Sequence, residues 1–288
     1  MSINKMYEKI IVALDFPTVE QARALVREFK GLPVKYKLGM ETYTLAGPDL
    51  LREIRDNGGY VFLDLKYKDI LNTVKGASRS ASSLGSDLFN VHVFGARKEK
   101  LEAAKEGAIA GNSENPSKVI GVTLLTDETE YDLRMFRIYG KPEEYVSYLT
   151  YMAKRAGLDG VVSSAQELPN TRYIMGEKAT LVTPAIKSEW AKATEQERIT
   201  TPTQAIENGA DLLVIGRQIT QPGETIAKTS RKALEMTAEE MYKAMPNYGV
   251  NRLDANKKIA LDNAMVEYEK FLSGIEVEMM EARKNKSK

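Results

Sequence analysis

A short charged segment, Asp64-Leu65-Lys66-Tyr67-Lys68-Asp69, closes the β-type run Tyr60 to Leu63. Side chains alternate along a strand, so Asp64 and Lys66 are expected on one face and Leu65 on the other. Lys37 ends a neighbouring β-type run and is expected to reach Asp64. The result is a Lys–Asp–Lys chain that Asp69 can join. Opposite neighbours hold each other ionised, and an array of this kind can stabilise charge that develops in a reaction. The same residues would also make a structural ion-pair ladder, and the motif alone leaves both readings open. A second clue is Gly216-Arg217, which follows Leu212-Leu213-Val214-Ile215. Glycine lets a phosphate approach backbone N–H groups, and arginine can grip its oxygens with two parallel bonds.

Other β-type runs also end in polar residues. Asp15 follows Ile10 to Leu14, His92 lies in Leu88 to Val93, Thr123 and Thr126 end the run Val119 to Leu124, and Thr183-Pro184 follows Thr180 to Val182. With Val34 to Leu38 and Gly160 to Val162 there are eight such runs, short and β-branched as buried parallel strands are. Helical stretches lie between them, among them Thr18 to Phe29, Pro48 to Asn57 and Thr203 to Asn208. This alternation predicts an α/β fold, a (β/α)8 TIM barrel over residues 1–230. No G-x-G-x-x-G turn follows the first run, which counts against a dinucleotide-binding open sheet. In a TIM barrel the strands' C-terminal ends form the active site, and the loops after strands seven and eight form the usual phosphate site. The polar run ends fall at that mouth. His92, the only histidine, also fits a structural strand-end role.

Residues 231–288 exceed a barrel's needs and are expected to form a C-terminal helical extension. Thr237-Ala238-Glu239-Glu240 resembles a capping box that would start a short helix, and a final helix is expected from about Leu253 to Ala282. Within it Leu261, Met265, Tyr268, Leu272, Ile275 and Met279 recur at alternating steps of four and three. That stripe suits docking on the barrel wall or pairing with another subunit. No internal repeat stands out.

Bulk composition narrows the function classes. The 288 residues carry 41 basic and 40 acidic side chains, with no basic excess to suggest nucleic-acid binding. Cysteine is absent, so thiolate zinc sites and disulfide frameworks do not arise. No apolar run approaches the roughly 18–20 residues that span a membrane, and the N-terminus does not read as a signal peptide. A cytoplasmic protein is expected.

From about Lys9 to Thr225 the chain resembles the orotidine 5'-phosphate decarboxylase family. The resemblance rests on Val12-Ala13-Leu14-Asp15, Lys37-Leu38-Gly39-Met40-Glu41, Asp64-Leu65-Lys66-Tyr67-Lys68-Asp69-Ile70 with Asn72-Thr73-Val74, Asn90-Val91-His92, Val122-Thr123 to Thr126, Leu181-Val182-Thr183-Pro184 and Val214-Ile215-Gly216-Arg217. It implies conversion of orotidine 5'-phosphate (OMP) to UMP and CO2 without metal or cofactor. It implies that Lys66 gives a proton to C6 of the pyrimidine, with Asp64 and Lys37 completing the charged array. Asp69, Ile70 and Thr73 would reach into the second site of a homodimer. Asp15, Lys37 and Thr73 would bind ribose hydroxyls and Thr126 would lie near the base. Gln196, Gly216 and Arg217 would hold phosphate, with Pro184 and Lys187 also in the substrate-binding set.

Some positions depart from the family pattern. Leu71 replaces a usual proline, Lys68 stands where histidine is common, and a T-P-G-I-R segment reads Thr183-Pro184-Ala185-Ile186-Lys187. Alanine lacks glycine's backbone freedom, and lysine lacks the guanidinium fork. Two rival readings accompany the resemblance. One is a magnesium-dependent sugar-phosphate decarboxylase or aldolase of the same superfamily. The other is a catalytically silent nucleotide-binding barrel.

Overall fold

A computed structural model describes residues 2–191, 200–223 and 227–286, with side chains as far as Glu281. The strands are β1 (Ile10–Ala13), β2 (Lys35–Gly39), β3 (Tyr60–Tyr67), β4 (Leu88–His92), β5 (Lys118–Val122), β6 (Gly160–Val162), β7 (Thr180–Thr183) and β8 (Leu212–Ile215). Each pairs in parallel with the next, and β8 closes on β1, so the barrel expected from the alternation is present. The helices are α1 (Asn4–Tyr7), α2 (Val19–Glu28), α3 (Met40–Ala46), α4 (Asp49–Asp56), α5 (Leu71–Ser83), α6 (Lys98–Gly111), α7 (Glu130–Met135), α8 (Pro142–Arg155), α9 (Leu168–Met175), α10 (Pro202–Glu207), α11 (Arg217–Thr220), α12 (Ser230–Ala244) and α13 (Ala255–Lys286).

Local chemistry sets these boundaries. Thr18 caps α2 by accepting from the Gln21 N–H, and Thr201 with Gln204 forms a capping box ahead of Pro202. Inside the barrel, Ile11, Ala13, Phe62, Leu88, Ile120, Val182, Leu212 and Val214 form one buried cluster. The interior is a packed core, not a pore. Continuing two residues along the same inward rows leads from Ala13 to Asp15 and from Phe62 to Asp64. Lys37 is the register partner of Ala13 and Gly39 that of Asp64. The apolar stack is therefore crowned by charge at its C-terminal end.

The opposite end is stapled three times by one device. Gly85-Ser86-Asp87, Gly157-Leu158-Asp159 and Gly209-Ala210-Asp211 precede β4, β6 and β8, and each glycine has positive φ (83°, 69° and 93°). Each aspartate accepts from a backbone N–H of the preceding strand: Val61 at 2.7 Å, Val119 at 2.7 Å and Leu181 at 2.8 Å. Each also pairs with a cation from the helix before that strand: Arg55 at 2.7 Å, Lys105 at 2.6 Å and Arg172 at 2.6 Å. The device recurs without a fixed spacing in the sequence. It is hidden in the sequence because only a glycine and an aspartate two positions apart recur, while the helical partner sits 32, 54 and 39 residues upstream.

One compact unit spans Met1–Asn251 and another Arg252–Lys288. Helix α12 lies within the first. It begins at the Thr229 cap, not at Thr237. Thr237 is buried in mid-helix and donates to the Ala233 carbonyl. The Thr-x-x-Glu spacing there is a coincidence of composition within a helix that has already started. Helix α13, in the second unit, is continuous over 32 residues and contains the six stripe positions. Among the described residues no helix is long and apolar enough to cross a membrane.

Candidate active site

Four of the expected residues meet at the mouth. The Lys37 ammonium lies 3.0 Å from Asp15 Oδ1 and 3.3 Å from Asp64 Oδ2, while Lys66 Nζ lies 2.7 Å from Asp64 Oδ1. Lys37 and Asp64 are buried, Lys66 is half-buried, and the Asp15 side chain is 48% exposed. The array thus grades from a dry centre to a wet rim. Burial pushes the Asp64 carboxyl up, but Lys37, Lys66 and hydrogen bonds from Lys66 and Asn90 outweigh it and hold Asp64 below the usual carboxylate range. The acid therefore stays ionised between two cations.

The pairing of Asp64 with Lys66 is achieved differently from simple alternation. Strand β3 shifts register against β4 between Leu63 and Tyr67, and Lys66 has a φ of 50°. A non-glycine residue seldom adopts that conformation, and its persistence at a functional position needs local support. Asn90 on β4 supplies that support. Its Oδ1 accepts from the Lys66 backbone N–H at 2.8 Å and its Nδ2 donates to Asp64 Oδ1 at 2.6 Å. One buried amide thus fixes both the kink and the carboxylate. In the sequence Asn90 stands out only as part of the segment Asn90-Val91-His92. The available signal was an asparagine inside an apolar strand run, where that residue is disfavoured.

Two other positioning features went unassigned. A Cβ on Gly39 would stand 2.6 Å from Asp15 Oδ1 and 2.8 Å from Lys37 Nζ, so glycine leaves the space in which that ion pair forms. Thr42 is fully buried. Its hydroxyl donates to the Leu14 carbonyl and accepts from the Phe16 N–H, bracketing Asp15 on both sides.

His92 sits at the end of β4. Burial, then Lys68 and Lys66, push its pKa below the usual histidine value, which keeps the ring neutral at pH 7. Lys68 Nζ lies 5.0 Å from the centre of the Phe94 ring. Asp69, Ile70 and Thr73 are exposed at the start of α5. Asp69 does not extend the array within its own chain; its Oδ1 accepts from the Ile70 N–H.

Across the mouth, an open cleft lies between the loops after β5, β6 and β7, lined by Thr126, Glu167, Pro184 and Ala185 among others. Ala185 has a φ of 58°, so the alanine occupies a backbone conformation that favours glycine. The Lys187 N–H donates to the Thr200 carbonyl at 3.0 Å. Gly216 caps α11, and Arg217 is exposed at its first position. Gln196 lies outside the described residues. Trp190 is half-buried in a short 3-10 turn after β7, with its indole nitrogen unpaired among the described residues.

Cationic and anionic groups fixed this deep, at the catalytic end of a closed barrel, make the chain a TIM-barrel enzyme. The model of the Orotidine 5'-phosphate decarboxylase / HUMPS family matches residues 8–232, and the chain belongs to that family. It is 41% identical over 234 residues to the orotidine 5'-phosphate decarboxylase of a Nostoc species, covering 80% of this chain and 98% of that one. The enzyme of the same name from Hydrogenovibrio crunogenus is 44% identical over 219 residues, covering 76% and 92%. The crystal structure of orotidine 5'-phosphate decarboxylase from Lactobacillus acidophilus superposes with a TM-score of 0.69 at 32% identity, covering 81% and 98%.

Proposed function

We propose that the chain converts OMP to UMP and CO2 without a metal or organic cofactor, as a homodimer in the cytoplasm. The observation that carries the reaction is Lys66 Nζ held 2.7 Å from a buried, ionised Asp64 that Lys37 contacts from its other oxygen. Decarboxylation breaks the bond between C6 and the carboxylate carbon and leaves the electron pair on C6, where the ring's π system delocalises it poorly. The Lys66 ammonium stabilises that charge as it forms and then transfers its proton to C6. Asp64, itself held by Lys37, fixes the ammonium's position. Asp15 and Lys37 bind ribose hydroxyls and Thr126 faces the base. Lys187, Gln196, Gly216 and Arg217 hold the phosphate end, with Pro184 also lining the substrate, and remote binding there orients the reacting end. Asp69, Ile70 and Thr73 complete the site of the partner subunit. In support, all three are exposed on their own chain, Ile70 at 66%.

The test is OMP turnover by the purified protein in EDTA, followed by ultraviolet absorbance, with Lys66→Ala beside it. Turnover should persist in chelator, and the variant should lose on the order of 10³-fold or more. Activity confined to a sugar phosphate with magnesium would instead assign the chain to its sister enzymes. UMP binding without any turnover would mark a silent barrel.

A further inference from the structure

Beside each of the two cations assigned to phosphate stands a residue that no role has yet claimed. Ser188 follows Lys187 in the loop after β7, and Gln218 follows Arg217 in α11. Both are buried. Gln218 Oε1 accepts from the Ser188 N–H at 2.7 Å, and Gln218 Nε2 donates to Ser188 Oγ at 3.4 Å. The same Nε2 donates to Thr237 Oγ1 on α12 at 3.3 Å. Ser188 is also hydrogen-bonded to Glu240 on α12, and Thr203 at the start of α10 bonds the same carboxylate. An amide in this position has few conformations left, and its donors and acceptor are all engaged.

We propose that Gln218 is a positioning residue that sets the β7 loop in register with α11, so that Lys187 and Arg217 close on one phosphate group. The inference rests on the proposed phosphate role of those two cations. The link to Ser188 is a pair of buried hydrogen bonds, 2.7 and 3.4 Å long, between the immediate neighbours of both. Lysine carries its charge on a flexible stem and gains little from geometry alone. The backbone that presents Lys187 must therefore be fixed, and it is held by its own N–H bond to the Thr200 carbonyl and, one residue on, by Gln218. Through Thr237 and Glu240 the fixture is anchored in α12, beyond residue 232 where the family match ends. The helix that follows β8 in the barrel thus holds the phosphate loop.

The test compares equilibrium binding of UMP and of uridine, which lacks the phosphate. Gln218→Met should weaken UMP about tenfold, a loss of one cation's grip, and leave uridine unchanged. For OMP turnover, KM should rise about tenfold while kcat falls by less than about threefold. In a Lys187→Ala background Gln218→Met should have no further effect on UMP, because the residue acts through Lys187. Gln218→Ala serves the same measurements if the methionine variant does not fold. Equal losses for UMP and uridine, or full additivity with Lys187→Ala, would overturn the assignment. The parent reading is tested separately by Arg217→Ala and Lys187→Ala alone. If those leave the ratio of UMP to uridine affinity unchanged, the phosphate site lies elsewhere, whatever Gln218 does.

Discussion

Two single residues show how little room the mouth leaves. A methyl group on Gly39 would overlap the tips of Asp15 and Lys37, both ends of side chains that can swing away. Gly39→Ala should therefore fold normally but displace the pair by about an ångström, and misplacement of that size costs on the order of 10²-fold in rate. Thermal melting and OMP turnover measured together check this; a stable variant with full activity would show that the pair is not needed in this geometry. Ala185 runs the other way. Its left-handed φ of 58° costs an alanine roughly 1–2 kcal/mol. Glycine gives back about 0.4–1 kcal/mol through the freer unfolded chain. Ala185→Gly should thus raise stability by roughly 0.5–1 kcal/mol in urea unfolding, and a loss would mean the loop is held by contacts that the methyl group makes. The charged partners Lys37, Asp64 and Lys66 were legible from residue type and spacing. Asn90, Thr42 and Gln218 were not, because a polar residue's partners across strands and loops depend on register that one sequence does not display.

At the scale of elements, the strands and the helices Thr18 to Phe29, Pro48 to Asn57 and Thr203 to Asn208 could be read from β-branched runs, caps and glycine stops, with ends displaced by a residue or two except in β3 and α13, which run four residues further. The bulge in β3 could not. Alternation placed Asp64 and Lys66 together for the wrong geometrical reason, since the chain in fact kinks at Lys66 and is caught by Asn90. The Gly-x-Asp staples also escaped, and they bear on stability more than on chemistry. Asp159→Ala would leave the Val119 N–H and Lys105 without their acceptor at the end of the barrel remote from the mouth. Losing a partly exposed hydrogen bond and ion pair should cost about 2–3 kcal/mol. Urea unfolding should show that loss while KM and kcat for OMP stay at the parent values. A changed KM would mean that the two ends of the barrel are coupled.

For the whole molecule, the proposed homodimer makes a quantitative claim. If Lys66 and Asp69 serve one site from different chains, Lys66→Ala and Asp69→Ala proteins are each inactive alone. Random re-pairing of the two in equal amounts makes about half the dimers mixed, each with one intact site, so about a quarter of parent activity should return. Activity that stays at zero after verified subunit exchange would place both residues in the same chain's site. The barrel itself was predictable because eight strand-then-helix units leave few other architectures. The shared site was suggested only by resemblance, since nothing within one chain demands a second copy.

The three aspartate staples also divide the molecule in the sense relevant to its descent. They secure the floor within the strand pairs β3/β4, β5/β6 and β7/β8, and none of their atoms belongs to the mouth. Mutations can therefore accumulate in the loops above without each one having to be matched by a repair below. The alanine and lysine after β7 are changes of that kind. A lineage built this way can revise what it grips over many generations while inheriting its foundation intact.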